Sequence, residues 1–323
     1  MIMTDSLVQL AVELTRIIIP LTMVLGIIGN SLNIAVFTRP VLYNYASSRY
    51  FLALACNNLF FTSVVLAYFL MANGYQRDIT QVSLFLCRFV EYFLQVTVVL
   101  STYFIVLASI DRYCASSPSA YLRKFSDVKI ARWAIVFVVI AIMLFYINTA
   151  ILMDLRQTDG LGCSIRGDTI YKKIYPIIQT ILFAIITPGL MVLFGLLTIY
   201  NRKQIRVMPV VMSRHRRTEN QLAVMLLVQV STYIILTFPA CTTYLILIFP
   251  NTFAATSTFY FVLMMSQILF YFSFATPFIL YLASARTYRK QFMRLIYKIF
   301  RLRGANEIDP TINSIANTIT NRF

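Results

Sequence analysis

The chain has 323 residues, of which 59% are hydrophobic and only 12% charged, with 28 Lys and Arg against 12 Asp and Glu and a net charge of +16. A chain so apolar cannot clothe a soluble domain in polar surface, which places it in the membrane class. With one histidine, no Cys–His cluster and no Gly-rich phosphate loop, the sequence offers nothing on which catalysis, a metal or a cofactor could rest.

Seven apolar segments, at about 11–38, 47–72, 84–113, 130–153, 171–200, 220–249 and 256–283, are each long enough to cross a bilayer. No Ser- or Gly-rich linker and no internal repeat divides them. The expected fold is therefore an all-α membrane protein, a seven-transmembrane helix bundle forming one domain over residues 1–300. The first run is too long for a signal peptide and lacks a small-residue cleavage site, so it is expected to target the chain and remain in place. With the amino terminus outside, all the basic residues but Arg16, Arg77, Arg88, Arg156, Arg166, Lys172 and Lys173 fall in or beside inner loops and tail. This asymmetry predicts a multi-pass plasma-membrane protein with an extracellular amino terminus. Basic residues in short loops between spans imply contact with anionic membrane lipid and argue against nucleic acid.

The first span carries Asn30 amid apolar residues. The second carries Asn57 and Asn58, of which one is expected to face the bundle, and Cys56 beside them reads as a small buried hydrophobe. The third runs from Cys87 to Tyr113 and is the most informative. Glu91, Gln95, Thr102, Ser109 and Arg112 follow one another at helical spacing, so they share a face that should turn inward. Between Cys87 and Arg112 the helix rises about 37 Å, more than the hydrocarbon thickness of a bilayer. Of five cysteines only Cys87 and Cys163 lie on the outer side, which favours a disulfide between them.

Trp133, the only tryptophan, opens the fourth span as an interface anchor or packing residue. Pro188 and Pro239 interrupt the fifth and sixth spans, as a static bend or a pivot. The loop between those spans is densely basic with one acid, Glu219, and His215 reads there as solvated. After Pro277 in the seventh span, apolar Tyr288, Phe292, Leu295, Ile296 and Ile299 alternate with basic residues. They predict an amphipathic helix over about 284–300, lying in the cytoplasmic interface. Residues 301–323 are polar and expected to be a flexible tail.

Asp111-Arg112-Tyr113 closes the third span, Cys87 stands 25 residues before Arg112, and Asn30, Trp133, Pro188, Pro239 and Pro277 mark the other spans except the second. In these features the chain resembles the rhodopsin-like (class A) G-protein-coupled receptors over about residues 11–300. The resemblance implies a receptor, not an enzyme, whose partners are an extracellular ligand and a heterotrimeric G protein. Asp111, Arg112, Tyr113, Glu219 and Tyr281 would form the coupling end and its switch, with Arg112 held at rest by Asp111 and Glu219. Departures stand in the core. Asn58 replaces the family's second-span aspartate, Thr237 its sixth-span tryptophan, and the seventh span reads Thr276-Pro277-Phe278-Ile279-Leu280-Tyr281, with threonine for asparagine and the tyrosine one place late. Without the aspartate, Asn30, Asn58, Ser101 and Thr276 are expected to form a neutral hydrogen-bonded cluster in place of a sodium site.

Leu94 stands where amine receptors carry an aspartate, and Phe270 where opsins carry the retinal lysine. What remains is a mouth formed by Glu91, Leu94, Gln95, Ser266 and Gln267, which suits a short peptide with a cationic group for Glu91. A pair of Glu91 with Arg88 is the structural alternative for that carboxylate. The DRYCASS run and the SPFILYL-like end are also similar to invertebrate neuropeptide receptors of the FMRFamide type. The competing readings are a small-solute transporter or channel, and a receptor-like protein without autonomous signalling.

Overall fold

The computed structural model describes residues 6–156, 162–165, 174, 177–206, 214–248 and 256–304. Inside a bilayer every backbone donor and acceptor must be satisfied within the segment, so the apolar runs fold as helices. Six are long and apolar enough to span: α1 (Ser6–Phe37), α2 (Ala46–Gly74), α3 (Leu84–Ser116), α4 (Val128–Leu152), α5 (Ile177–Lys203, continuing to Arg206) and α6 (Arg214–Ile248). The seventh span is a bent pair, α7 (Ser257–Phe272) and α8 (Pro277–Ser284), whose axes meet at 51°. An amphipathic helix, α9 (Arg286–Gly304), follows at once. The expected seven-helix bundle with its interfacial helix is therefore present. Residues 301–304, expected in the tail, continue α9, and residues 305–323 lie outside the described residues. His215 falls in the first turn of α6, not in a loop.

The prolines act differently from one another. Pro277 opens α8, where its missing N–H costs nothing. The break before it is stitched by side chains: Ser273 Oγ donates to Phe270 O at 2.6 Å and Thr276 Oγ1 to Ser273 O at 2.9 Å. Ahead of Pro188 the helix widens into a π-helical stretch, Ile181–Ile186, and Thr187 Oγ1 caps Leu182 O at 2.5 Å. Pro239 sits inside a continuous α6, as does Pro20 inside α1, a position the sequence reading passed over. Two further π-helical stretches, Phe61–Val65 and Leu70–Gly74, lie in α2.

The core is largely aromatic. Phe37 packs on Phe51, Tyr281 and Tyr288, which ties α1, α2, α8 and α9 together with ring centroids 5.5–5.6 Å apart. Nearer the other end, Phe61 stacks on Phe274 at 3.9 Å. The outside of the bundle is apolar too: Ile17, Leu21 and Ile28 of α1 and Phe137, Ile140 and Leu144 of α4 are exposed, as lipid-facing residues must be. Trp133 is 76% exposed and packs into no core, so it faces outward from α4.

Between α4 and α5, β1 (Met153–Arg156) and β2 (Gly162–Ile165) pair antiparallel with Leu155 opposite Cys163. Cys163 is bonded to Cys87 in the first turn of α3, Cα atoms 5.6 Å apart. Arg88 Nε donates to Met153 O at 3.0 Å, so the hairpin is fastened to α3 at two adjacent points.

Candidate functional site

α3 joins two candidate sites because it is an unbroken α-helix from Leu84 to Ser116, begun by Ser83 Oγ accepting from Leu86 N. Its regularity keeps the polar stripe on one face. Thr102, Ser109 and Arg112 are buried, and Gln95 is half-buried.

At the disulfide end a cavity of ≈ 160 Å³ opens between α3, α5, α6 and α7. Leu94, Gln95 and Gln267 line it, as expected, with Gln179, Thr180, Phe183, Tyr244, Phe270 and Tyr271 among the other walls. None of the lining residues is charged. Gln95 is held by a relay: the Tyr146 hydroxyl of α4 donates to Gln179 Oε1, and Gln179 Nε2 donates to Gln95 Oε1 at 3.0 Å. Sequence reasoning missed Gln179 because the loop preceding it is polar too, so a glutamine at the span's edge did not stand out. The size is that of a single aromatic ring, since a cavity of about 150 Å³ takes benzene.

Two of the expected mouth residues lie elsewhere. Ser266 is buried between α6 and α7, within 3.0 Å of Thr243 Oγ1 and donating to Leu263 O, so it fastens helices and does not line the cavity. Glu91 is partly buried one turn above Gln95, outside the lining, within electrostatic reach of Tyr68, Asp78, Tyr244 and Tyr271. The alternative pair with Arg88 is not formed, because Arg88 turns to the Met153 carbonyl. Among the described residues Glu91 makes no ion pair.

At the opposite end Arg112 is buried and directs Nε and Nη2 to Asp111 Oδ2, at 3.1 and 2.7 Å. Ser126, in the connection to α4, donates to the other oxygen, Asp111 Oδ1, at 2.7 Å. Tyr113 packs its ring on Phe194 of α5, centroids 5.7 Å apart. The expected contact to Glu219 takes a different form. Arg112 Nη1 approaches the main-chain carbonyl of Glu219 at 3.5 Å, and the only ion pair of Arg112 among the described residues is with Asp111. Asp111 is the adjacent residue, so its carboxylate needs no movement of α6 to engage the guanidinium.

Residues 29–281 match the family model described as 7 transmembrane receptor (rhodopsin family). The chain belongs to that family. No curated protein matches it. The matched stretch begins beside Asn30 and ends on Tyr281, so it takes in both candidate sites of the receptor.

The receptor's polar core is divided where a single cluster was expected. Asn58 Oδ1 accepts from Ser101 Oγ at 2.7 Å. Asn57 also reaches α3, donating to Ser101 Oγ and to Thr97 O at 2.7 Å each. Both adjacent amides thus serve the same neighbour: they lie about 100° apart on α2, and Ser101 stands between them. Asn30 belongs to another contact, donating to Phe274 O at 3.0 Å across to the α7–α8 break. Thr276 spends its hydroxyl on Ser273 O. Asn58, Ser101 and Thr276 do share the wall of a small cavity with Gln229, Tyr233 and Ser273. The Tyr233 hydroxyl is buried there without a partner.

Proposed function

We propose that this receptor stands in the plasma membrane with its amino terminus and the Cys87–Cys163 disulfide outside. It binds a short peptide at the disulfide end and activates a heterotrimeric G protein at the Arg112 end. Residues 1–304, α9 included, act as one receptor domain and 305–323 as a tail. The observation that carries this reading is the pairing of an uncharged, ring-sized cavity, lined by Gln95, Gln179 and Gln267, with the Glu91 carboxylate one turn above it. A peptide seats one aromatic side chain in the cavity, its backbone amides meet the glutamines, and a neighbouring cationic side chain meets Glu91. A carboxylate without an ion-pair partner at membrane depth is costly, so a ligand cation gains most there. Once α6 parts from α3, Arg112, Asp111, Ser126 and the α3-facing end of α6 form the surface the G protein engages.

The deciding experiment is GTPγS binding in membranes carrying the receptor and purified G proteins, across a panel of amidated peptides with and without Arg or Lys. Peptide-dependent nucleotide exchange is expected. Glu91→Gln should weaken cationic peptides by about thirtyfold, roughly 2 kcal/mol, and leave neutral ones unchanged. Solute uptake without nucleotide exchange would assign the chain to transport.

A further inference from the structure

Tyr146 of α4 is 1% exposed and is no part of the lining of the cavity at the disulfide end. Its hydroxyl donates to Gln179 Oε1. One turn earlier, α4 is held against α3 by the Tyr92 hydroxyl, which donates to Met143 O at 3.0 Å. A carboxamide has one accepting end and one donating end. With its oxygen taken by the phenol, buried Gln179 turns its nitrogen towards α3 and donates to Gln95 Oε1 at 3.0 Å. The oxygen of Gln95 is then occupied in turn, and its Nε2 makes no hydrogen bond among the described residues. Gln95 lines the cavity, so the end it leaves to a ligand is the donating one. The phenol sets this sense. A phenolic O–H is a strong donor and its oxygen a weak acceptor, and each amide polarised by one bond donates more strongly in the next. Gln267 of α7 also lines the cavity, makes no hydrogen bond among the described residues, and can turn either end inward.

A fixed donor in a ring-sized cavity discriminates by what the ring carries. A ring with an acceptor completes the relay, whereas a ring with only a donor, or with neither, leaves Gln95 Nε2 desolvated and unpaired. A carboxylate would accept as well, but the lining holds no charge to offset the loss of its water. We propose, resting on this cavity as the ligand site, that it selects a neutral aromatic ring bearing a hydrogen-bond acceptor such as a carbonyl. Gln95 is the residue that meets the acceptor, and Tyr146, two hydrogen bonds away and outside the cavity wall, is the positioning residue that sets the preference.

Three uncharged ring probes test it: acetophenone, its hydrocarbon isostere α-methylstyrene, and aniline, whose amino group donates. Their affinities are read by saturation-transfer NMR on the receptor in nanodiscs, with empty nanodiscs subtracted. Acetophenone is expected to bind about tenfold more tightly than either of the others. Tyr146→Phe frees both amides to turn, so acetophenone and aniline should come within about twofold of each other while α-methylstyrene is unchanged. Gln95→Met should lower acetophenone to the level of α-methylstyrene. Where Tyr146→Phe fails to fold, Gln179→Met cuts the relay at its middle and should erase the same preference. Equal affinity for the three probes or a preference for aniline in the wild type would overturn the proposal. So would an acetophenone preference that survives in the folded Tyr146→Phe, even if all three probes weaken together, since that is the mark of a purely structural tyrosine. Binding of none of the three rings would sink the ligand-site reading itself, whereas binding without preference sinks only the orientation of Gln95.

Discussion

The hydroxyl of Tyr281, at the end of the family match in α8, donates a 2.5 Å hydrogen bond to Gln229 Oε1 of α6, and both residues are buried. This bond joins the seventh span to the sixth about 15 Å along α6 from the Glu219 carbonyl that faces Arg112. Tyr281→Phe leaves the Gln229 amide buried without its donor, which should cost about 1–3 kcal/mol. Adding Gln229→Leu removes the orphan and should recover part of that loss. Thermal unfolding of the two single variants and the double variant in detergent reads the coupling. Strict additivity would show that the bond contributes nothing of its own.

Basal signalling should depend on Asp111 more than on Glu219. Asp111 supplies the carboxylate paired with Arg112, whereas Glu219 meets Arg112 through a carbonyl that substitution leaves in place. Asp111→Asn is expected to raise ligand-free GTPγS binding severalfold, and Glu219→Ala to change it little. The reverse order would mean that the Glu219 side chain takes over in the state that matters.

Cys163→Ser should release the β1–β2 hairpin from α3. A loop of this length stabilises by up to roughly 4 kcal/mol when closed by a disulfide. Surface labelling should fall sharply, and any receptor that reaches the surface should bind ligand poorly because the hairpin is fastened to α3 about two turns above Gln95. Normal surface level and affinity would show that Arg88 alone holds the hairpin.

Agonist affinity should hardly differ between sodium and a matched organic cation at equal ionic strength. Asn58, Ser101 and Thr276 bring only neutral oxygens to the small cavity they share, and burying a monovalent cation without a counter-charge is costly. Water is the occupant that suits the partnerless Tyr233 hydroxyl. A drop in affinity specific to sodium and abolished by Asn58→Ala would overturn this.

The sequence was most legible where the helix is most regular. The stripe from Glu91 to Arg112 kept its face because α3 contains no wide turn. Spans, disulfide and amphipathic helix were legible from length, charge and placement, which need no knowledge of neighbours. Side-chain partners were not. Helical periodicity fixes a residue's angle about its own axis, but neither its depth nor the helix it meets, so Ser266 was assigned to a cavity when its angle points it at Thr243. The π-helical stretches in α2 and α5 add residues to a turn and rotate everything beyond them, and no composition signal announces them. Gln179 lies immediately ahead of such a stretch.

The disulfide also sets a mechanical ratio. Measured from Cys87, Gln95 is about 12 Å along α3 and Arg112 about 37 Å. A straight rod anchored at one end acts as a lever, and here the load arm is roughly three times the effort arm. A ligand that displaces Gln95 sideways by about an ångström would swing the guanidinium of Arg112, together with Asp111, by about three, comparable to the 3.5 Å that separates it from the Glu219 carbonyl of α6. Distances between spin labels at the two ends of α3 and α4 would read that ratio directly. Equal displacements at both ends would mean that α3 slides and does not pivot.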